Sequence, residues 1–533
     1  FSAETTAPVM LSNGLRHFNT VDVPMGEFWA KSPSHDKPND VLDAISGAHI
    51  YGKNIVAAEA FTTVRMEWNE HPGTLKTLQD RNYALGINEL IYHLFVHNPW
   101  MDRKPGMTLD GVGLYFQRDQ TWWKPGKAWV DYARRSQELL QKGKPVIDIA
   151  VFTGEEFPLR AVLPDRLVPT LPGLFGDKRV LAEEKRLTNA GLPTQKVVGV
   201  TTSANMAQPE NWINPLHGYA YDSFDPKALL EAQVVDGKVQ MPGGLQYQIL
   251  VFPGARRMNP ANRFGLESLA KLKELVMAGA KIIVGEQPEK GSGILSDAQT
   301  RAFKADVAEI WGGEFQNTKV GGKPYISKKL GKGEIIKAPY YQESLEYLGV
   351  ERDLIVTDVN GAEAENIAFN HRHSAEEDIY FISNQLAESR ELSFSFRTES
   401  KVPEFYDAVT DETTRARAYT IENGRIKVVY QLAPNASVFV RLKEGDVQTS
   451  KEQTSNNRQF ETLAILDEDW TIQFDPEFGG PAEPLSEQSL FDWSQSARSE
   501  IKYYSGTALY KQTFKWRKKD TQAVWLDLGN VAN

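Results

Sequence analysis

The chain has 533 residues, of which 41% are apolar, so it can hold roughly three or four domains that each bury a core. A formal net charge of −10 argues against a nucleic-acid-binding protein, which normally carries a basic face. The sequence contains no cysteine, which excludes disulfides, thiolate metal sites and cysteine nucleophiles, and no run approaches the roughly 18 apolar residues of a membrane span.

The first 143 residues alternate predicted strands with predicted helices. Strands are predicted in FSAE (1–4), NIVAAEAF (54–61) and INELIYHLFVH (87–97), and helices in NDVLDAISGAHIYG (39–52), HPGTLKTLQDRNYALG (71–86) and AWVDYARRSQELLQKG (128–143). This alternation is typical of parallel βα units. A complete eight-fold barrel needs more units than these, so residues 1–143 are predicted to be the C-terminal part of a (β/α) barrel. A chain that starts at Phe1 and stops at Asn533 within a strand-rich segment is expected to be a fragment or a processed product.

The second region, residues 144–318, is predicted to be a doubly wound α/β accessory domain. Its predicted strands are KPVIDIAVFTGEE (144–156), KVVGVTT (196–202), YQILVFPG (247–254) and AKIIVGE (280–286), with a helix between the last two. No GxGxxG motif follows any of these strands, so a dinucleotide site is not predicted. A glutaminase-like function is excluded as well, because the chain has no cysteine nucleophile.

The rest of the chain is predicted to be all-β. Residues 319–446 carry short alternating segments such as NIAFNHR, DIYFISNQ and SVFVRL, which predict a β-sandwich. The polar segment 447–459 is interpreted as a linker, and residues 460–533 as the truncated start of a galactose-binding-like jelly-roll domain. The histidines and acids of NHRHSAEEDIYFISNQ (370–385) are interpreted as a solvated turn that enters a strand. The predicted fold class is therefore α/β plus all-β, multidomain.

Carboxylates at strand ends are the best candidates for chemistry. Glu4 ends the first predicted strand, Glu27 lies in DVPMGEFW, and Glu59 ends the strand NIVAAEAF. Each of them is also compatible with a structural acid that caps a helix or pairs with arginine. Active sites of αβ-barrel enzymes lie at the carboxyl ends of the strands, so three such acids in successive units point to the mouth of a site. Paired carboxylates and aromatic platforms together favour glycoside hydrolysis.

Histidines and aromatic residues follow these strands. His93 and His97 lie four apart, but on an extended strand this spacing does not favour a zinc site. His93 is predicted to face a sugar hydroxyl, with a satisfied core histidine as the alternative, and His97 to lie in the following loop. The segments around 100 and 114–129 are interpreted either as packed core or as a sugar-binding wall. On the second interpretation the substrate contacts are Trp100, Arg118, Trp122 and Trp123.

Several motifs resemble glycoside hydrolase family 106, the α-L-rhamnosidases. They are DVPMGEFW, AAEAFT, WNEHPGTLK, GINELIYHLFVHNPW, the run from DQTWWKPGKAW to VFTGEE, EEDIYF and IKYYSGTALY, and together they cover nearly the whole chain. The resemblance implies a (β/α) barrel followed by accessory α/β and β-sandwich domains. It also implies inverting hydrolysis of terminal α-L-rhamnosyl linkages in oligo- or polysaccharides, with a calcium ion near the site.

The resemblance also assigns roles. Glu59 of AAEAFT would be the general base that activates water, and the small Ala58 and Ala60 would leave room for that water. Glu27 of GEFW would bind calcium. Glu4 is expected at the substrate, and calcium prefers several oxygen ligands, so Glu4 and Asp22 are further candidate donors. No residue corresponds to the family's general acid, which is expected before Phe1.

Two other functions stay open at this point. One is another exo-glycosidase, such as a β-galactosidase-like enzyme built on the same barrel and doubly wound domain. The other is a non-catalytic carbohydrate-binding protein. The resemblance implies a periplasmic or secreted bacterial protein, although the chain shows no signal peptide. Its expected partner is a rhamnose-containing oligo- or polysaccharide, with no nucleic acid and no membrane span.

Overall fold

The computed structural model describes most of the chain. The described residues are 1–4, 11–30, 38–63, 68–103, 106–109, 111–188, 212–256, 259–446, 449, 456, 461–466, 469–487, 489–515 and 524–529. The strand predicted at 196–202 lies outside them. Among the described residues, none of the helices combines the length and the apolar character needed to cross a bilayer.

The N-terminal region forms a parallel sheet of four strands that are adjacent in chain order. The strands are β1 (Ser2–Glu4), β2 (Val23–Trp29), β3 (Ala57–Thr62) and β4 (Glu89–Tyr92). The helices of this region are α1 (Gly14–Asn19), α2 (Pro38–Tyr51), α3 (Pro72–Leu85) and α4 (Lys127–Leu140). Helix α3 begins at a proline and ends before Gly86, whose φ of +131° suits glycine. The predicted parallel βα pattern is therefore present in this region.

Strand β4 is shorter than the predicted strand 87–97. It ends at Tyr92: the amide of His93 still donates to the carbonyl of Ala60 on β3 at 3.0 Å, and beyond it the backbone pairs with a later segment. The amide of Leu94 donates to the carbonyl of Leu114 at 2.8 Å, and the amide of Leu114 donates to the carbonyl of His93 at 3.0 Å. The loop that follows β4 thus folds back onto the strand end.

A mixed sheet of seven strands follows. Its strands are β6 (Ile149–Phe152), β7 (Tyr221–Phe224), β11 (Ile249–Phe252), β12 (Lys281–Val284), β13 (Gln316–Val320), β14 (Lys323–Leu330) and β15 (Gly333–Lys337), in the order β13-β14-β15-β12-β11-β6-β7. A small antiparallel sheet contains β8 (Gln233–Val235), β9 (Lys238–Gln240) and β10 (Gln246–Tyr247). The helices are α5 (Pro172–Phe175), α6 (Asp177–Thr188), α7 (Pro226–Glu231), α8 (Leu266–Ala278) and α9 (Asp297–Trp311).

Both faces of this seven-stranded sheet are covered. In β11, Leu250 and Phe252 belong to one apolar core, whereas Ile249 and Val251 belong to another. Burial on both sides explains why its central parallel strands read as continuous apolar runs. The sheet extends past residue 318, because β15 pairs in parallel with β12, and β14 and β13 follow as antiparallel strands. The antiparallel strand β14 (KPYISKKL) resembles a sandwich strand in its pattern, and for that reason the sequence pattern places it in the next domain.

Two antiparallel sheets share the next apolar core. The six-stranded sheet contains β5 (Lys144–Pro145), β17 (Ile367–His373), β18 (Glu377–Asn384), β20 (Val402–Asp407), β21 (Glu412–Arg415) and β24 (Ser437–Lys443). The four-stranded sheet contains β16 (Leu354–Asp358), β19 (Arg390–Phe396), β22 (Thr420–Glu422) and β23 (Arg425–Leu432). Phe394 and Phe396 of one sheet and Val438 and Val440 of the other belong to the same buried cluster.

The C-terminal region contains β25 (Trp470–Gln473), β26 (Leu485–Glu487), β27 (Leu509–Lys511) and the short helix α10 (Ser499–Lys502). The three strands form an antiparallel sheet over a small core that includes Ile472, Phe474 and Ile501. Short 3₁₀ helices lie at Pro164–Arg166, Glu346–Leu348, Pro476–Phe478 and Trp493–Gln495.

Helix α2 belongs to two layers at once. It packs on β2 of the parallel sheet and on β7 of the seven-stranded sheet, and it is buried from Asn39 to Ile50. The hydroxyl of Ser46 accepts a hydrogen bond from the amide of Ser223, and Nδ1 of His49 lies 3.0 Å from the Asp222 carboxylate. These contacts anchor the parallel sheet from one side.

Helices α3 and α4 connect the N-terminal region to the six-stranded sheet, where α3 packs on β17 and β18 and α4 packs on β18. Lys76 donates to the hydroxyl of Ser437 at 2.9 Å, and the hydroxyls of Tyr132 and Ser437 lie 2.9 Å apart. The helices of the parallel sheet therefore pack on both the seven-stranded and the six-stranded sheet, which fixes the positions of side chains at the carboxyl ends of the strands.

Candidate active site

Three glutamates converge at the carboxyl end of the parallel sheet. Glu27 of β2 and Glu59 of β3 are direct register partners, and Glu4 of β1 pairs with Met25, two residues before Glu27. Register partners in parallel strands project from the same face of the sheet. As a result, Glu4, Glu27 and Glu59 each place one carboxylate oxygen within 4.8 Å of the other two. Glu27 is buried, and Glu4 and Glu59 are half-buried.

His93 lies beside this cluster. Its Nε2 is 4.0 Å from Oε1 of Glu59. Its Nδ1 is buried and makes no hydrogen bond to the residues that the structure describes. A methyl group on Gly113 would come within 2.8 Å of this Nδ1, so the backbone of the returning loop lies directly on the imidazole. The structure thus places His93 next to the carboxylates, and its predicted contact with a sugar hydroxyl stays a prediction.

Thr62 is a further group at the cluster that the sequence pattern misses. Its hydroxyl donates a hydrogen bond to Oε1 of Glu59. In a regular strand, residues three apart point to opposite faces, so Thr62 is not expected near Glu59. The sequence feature that could have identified Thr62 is its position directly after AAEAF, the strand segment that carries Glu59.

Asp22, a predicted calcium donor, lies elsewhere. Its carboxylate is exposed and forms an ion pair with the terminal ammonium of Phe1 at 2.7 Å. Asp22 precedes β2, whereas the glutamate cluster lies at the opposite, carboxyl end of the strands. The prediction that Asp22 binds calcium is wrong, because Asp22 lies at the amino end of β2 and the glutamates lie at the carboxyl ends of the strands.

The loop after β4 carries most of the other predicted substrate contacts. His97, Trp100 and Trp123 are exposed, with Trp100 and Trp123 at 42% and 44%. The Arg118 guanidinium donates to the carbonyls of Asn98 and Trp100 at 2.9 and 2.5 Å, so Arg118 holds the backbone of this loop. The Arg103 guanidinium lies 4.9 Å from the Trp100 ring centroid, in cation–π distance.

Trp122 does not belong to this exposed group. It is only 6% exposed, and its Nε1 donates to the carbonyl of Glu70 at 2.8 Å. Its ring packs edge-on against Phe116 and Trp129. The predicted substrate contact at Trp122 is therefore wrong, because the indole is part of the core beneath the loop.

An aromatic pair lies close to the site. Trp68 follows β3 and is 38% exposed, and its ring centroid is 5.5 Å from that of the buried Tyr115. The Tyr115 hydroxyl accepts a hydrogen bond from the amide of Gly111, which fixes the ring. Tyr115 is two residues from Gly113, which contacts His93. We call Trp68 and Tyr115 the aromatic ledge; the sequence pattern around WNEHPG signals only a helix start.

A second titratable cluster lies away from the glutamates, in the two antiparallel sheets. His371 is bound by the Asp353 carboxylate at Nδ1 (2.8 Å) and the Asp378 carboxylate at Nε2 (3.2 Å), and it stacks on Tyr380. Burial lowers the pKa of His371, but the two carboxylates outweigh it and raise that pKa to about 9. The predicted exposed turn that enters a strand is present at residues 374–376, before β18, but His371 lies ahead of it on β17 within a sheet.

This second cluster also connects two domains. Arg397 donates to the Asp148 carboxylate, just before β6, at 3.1 Å, and lies 3.5 Å from Asp353. The network therefore joins the antiparallel sheets to the seven-stranded sheet and has a structural explanation.

Comparison with known proteins identifies relatives. The profile of glycosyl hydrolase family 106, described as alpha-L-rhamnosidase, matches residues 2–182 and 200–421. A solved rhamnosidase from Novosphingobium sp. PP1Y is 28% identical with a TM-score of 0.74, covering 96% of this chain and 43% of that chain. A putative beta-glucuronidase from Formosa agariphila is 32% identical over 435 residues, which cover 81% of this chain and 30% of that protein.

A more distant structure is a catalytic mutant of Gan42B, a GH42 beta-galactosidase from G. stearothermophilus. It is 12% identical with a TM-score of 0.45 and covers 83% of this chain and 63% of that chain. The chain thus spans less than half the length of the solved rhamnosidase and of the curated relative.

Proposed function

The chain belongs to glycoside hydrolase family 106, the alpha-L-rhamnosidases, and on that premise we propose that it hydrolyses terminal α-L-rhamnosyl linkages in oligo- or polysaccharides. The observation that carries this proposal is the convergence of Glu27, Glu59 and His93 at the carboxyl ends of parallel strands. The four strands are proposed to be part of a (β/α) barrel, the paired antiparallel sheets a β-sandwich, and the C-terminal sheet the start of a jelly roll.

Glu59 is proposed to be the general base. It accepts a proton from a water molecule while the water oxygen bonds to the anomeric carbon and the glycosidic C–O bond breaks on the opposite face. Ala58 and Ala60, its neighbours on β3, are fully buried in the apolar core on the opposite face of the strand, so the carboxylate is carried by a rigid element. They do not border the attacking water as the sequence predicts. His93, 4.0 Å away, is proposed to contact a sugar hydroxyl.

The general acid is proposed to lie outside the glutamate cluster. Inverting glycosidases keep their two carboxyl groups about 6.5–9.5 Å apart, which leaves space for the attacking water. Glu4 and Glu27 each bring one oxygen within 4.8 Å of an oxygen of Glu59, which leaves little space for a water molecule between the carboxyl groups. Neither of them is therefore assigned as the partner acid of an inverting Glu59.

Calcium is proposed as the cofactor, and the residues fit it. Calcium binds carboxylate oxygens at about 2.3–2.6 Å, so two ligand oxygens of one ion lie at most about 5 Å apart. The oxygens of Glu4, Glu27 and Glu59 satisfy this limit. Glu4 and Glu27 would hold the ion, which would supply positive charge for the sugar hydroxyls. Glu4 would thereby serve the substrate indirectly.

The aromatic ledge is proposed to contact the sugar on the leaving-group side. Indole rings offer apolar area to the C–H face of a pyranose, and Trp68 is the exposed member of a pair whose other ring is fixed. His97, Trp100 and Trp123 in the neighbouring loops are proposed as further contacts with a longer glycan. Arg118 is proposed to act through Trp100, whose carbonyl it binds.

A second candidate is a retaining exo-glycosidase with another sugar specificity. The short separation of Glu27 and Glu59 favours it, because retaining enzymes keep their carboxyl groups about 5–5.5 Å apart. The Formosa agariphila relative, described as a putative beta-glucuronidase, also leaves the sugar open. A non-catalytic carbohydrate-binding protein would bind sugar without turnover.

The decisive experiment measures hydrolysis of p-nitrophenyl α-L-rhamnoside, β-galactoside and β-glucuronide by the intact protein. We expect the rhamnoside to be cleaved fastest, and Glu59→Gln to lower kcat by about 10²–10⁴-fold. Glu388→Gln, in an exposed loop between β18 and β19, is the matched control and should leave kcat unchanged. Cleavage of only another glycoside would favour the second candidate, and binding without cleavage the third.

Export to the periplasm or the medium is proposed as well, because polysaccharides do not cross membranes. Cell fractionation with an antibody to the protein tests it, and exclusive recovery in the cytoplasmic fraction would contradict it.

A further inference from the structure

Strand β3 contains one residue more than its neighbour at its carboxyl end. Phe28 of β2 pairs with Ala60, but the next residue, Trp29, pairs with Thr62, which leaves Phe61 as a bulge. Phe61 has a φ of +67°, a left-handed conformation that a bulky residue rarely adopts. Bulges near active sites re-aim side chains, and backbone strain concentrates at functional positions.

The surrounding core holds Phe61 in this conformation. Its side chain is fully buried, with ring centroids 5.1 Å from Phe28 and 5.3 Å from Trp129. The burial of a large aromatic ring stabilises the fold enough to offset the cost of such a backbone conformation. The bulge is therefore a fixed feature of the fold.

The bulge changes the face on which the next residue lies. Residues 59 and 62 of a regular strand would point to opposite faces, because the side-chain period is two. With the extra residue, Thr62 comes to the face of Glu59, and its hydroxyl donates to Oε1 of that carboxylate. Thr62 is only 2% exposed, so water does not compete for this hydrogen bond.

Thr62 of β3 and His93, directly after β4, both approach the same oxygen of the Glu59 carboxylate. Thr62 donates to Oε1, and Nε2 of His93 lies 4.0 Å from Oε1. A carboxylate held at one oxygen cannot rotate freely about its terminal bond. Threonine suits this task because a β-branched side chain is stiff at χ1.

We infer that Thr62 is a positioning residue, set by the bulge at Phe61, which holds Oε1 of Glu59 so that Oε2 faces the attacking water. The inference rests on the proposed role of Glu59 as the general base. In that step the proton of the water goes to Oε2, and the hydroxyl of Thr62 keeps its own proton.

The test compares three variants of the intact protein. Thr62→Val keeps the shape and removes the hydroxyl, and Thr62→Ser keeps the hydroxyl. Thr153→Val removes a buried threonine hydroxyl directly after β6. We expect Thr62→Val to lower kcat for p-nitrophenyl α-L-rhamnoside by about 10- to 100-fold with KM within about twofold. Thr62→Ser should recover most of kcat, and Thr153→Val should match the wild type. Wild-type kcat in Thr62→Val, or equal losses in the valine and serine variants, would overturn the inference.

Crystal structures of the two Thr62 variants supply a readout that does not depend on turnover. In Thr62→Val the Glu59 carboxylate should rotate or occupy two conformers, whereas in Thr62→Ser it should keep the wild-type conformer. An unchanged carboxylate in Thr62→Val would refute the positioning role even if the wild type proved inactive on rhamnosides. Inactivity of the wild type alone would instead refute the proposed function.

Discussion

Glu27 and Glu59 lie directly opposite each other on adjacent parallel strands, as register partners at the carboxyl end of the sheet. Side chains in this relationship share a face and lie within a few ångströms, so two carboxylates and Glu4 crowd into one small volume. Like charges at this distance are unfavourable unless a cation, a proton or a hydrogen bond compensates them. The proposed calcium ion and the hydrogen bond from Thr62 to Glu59 would both reduce this repulsion.

Calcium should stabilise the protein through Glu27. The wild type should show a rise in Tm with calcium chloride, because a ligand that binds only the folded state at 100 times its Kd adds about 2.7 kcal/mol. Glu27→Gln removes one buried ligand charge and should abolish most of the rise, and differential scanning fluorimetry measures both. Without calcium, the variant should be at least as stable as the wild type, since repulsion in the cluster is reduced.

Metal removal should also lower activity. Treatment with EDTA should reduce rhamnoside hydrolysis, and calcium should restore it better than magnesium, which requires a smaller octahedral site. Glu388→Gln, remote from the cluster, should respond to calcium like the wild type. An equal rise in Tm in the wild type and in Glu27→Gln would show that the ion binds elsewhere.

The configuration of the first product separates the two enzyme candidates. If Glu59 acts as a base on water, an α-L-rhamnoside should release β-L-rhamnose first, which ¹H NMR detects before mutarotation. The close pair Glu27 and Glu59 would give the α anomer first if one of them were a nucleophile. Release of the α anomer would therefore contradict the assignment of Glu59 as the base and favour a retaining mechanism.

Trp68 should matter for a substrate with a sugar as its leaving group. Trp68→Ala should raise KM for a rhamnosyl oligosaccharide by about 2- to 12-fold, since aromatic contacts of this kind are worth about 0.5–1.5 kcal/mol. Methyl α-L-rhamnoside lacks the second sugar, so its KM should not change. Tyr347→Ala is a matched control, because Tyr347 is an exposed ring packed against the buried Tyr325 in another domain. An equal rise in KM for both substrates would show that Trp68 does not contact the leaving-group sugar.

Stability should fall at alkaline pH because of His371. Its pKa is raised from 6.5 to about 9, so the stabilisation is fully present below about pH 6.5 and is lost as pH rises through 9. The contribution is roughly 3 kcal/mol, and urea unfolding at pH 6, 7.5 and 9.5 measures it. His371→Gln should be less stable at pH 6 and should lose less stability between pH 6 and 9.5.

His373→Gln is the control for this pH dependence. His373 lies on the same strand and contacts the same Asp378, but its side chain is exposed. It should keep the wild-type pH dependence. If His371→Gln lost as much stability as the wild type between pH 6 and 9.5, a group other than His371 would be responsible for the loss.

The parts of this molecule that follow from local sequence were predictable. The runs that form β3, β6 and β11 identify buried parallel strands, and the position of Glu59 after the apolar run of β3 places it near a strand end. The family assignment is confirmed as well. These features depend on residues close together in the chain, where the hydrophobic pattern carries the information.

Other parts depend on contacts that a single sequence does not display. The burial of Trp122 results from packing under a loop that returns to β4, and a tryptophan near polar residues looks the same in either environment. Thr62 joins the site only because one residue is added at Phe61, which reverses the expected alternation. Asp22 lies close to Glu27 in the chain but at the other edge of the sheet. Strand β14 is paired antiparallel on both sides, so its pattern does not distinguish it from a strand of an antiparallel sandwich.

Helix α2 has a consequence for how this protein can be dissected or recombined. Because one face of the helix covers the parallel sheet and the other covers β7, a fragment cut after residue 143 would expose apolar surface on α2 to solvent. Chimeras that exchange the α/β domain among homologues would need to exchange this helix as well, or to match both of its partners. A segment that can be exchanged without exposing α2 must therefore include the parallel sheet, α2 and the seven-stranded sheet together.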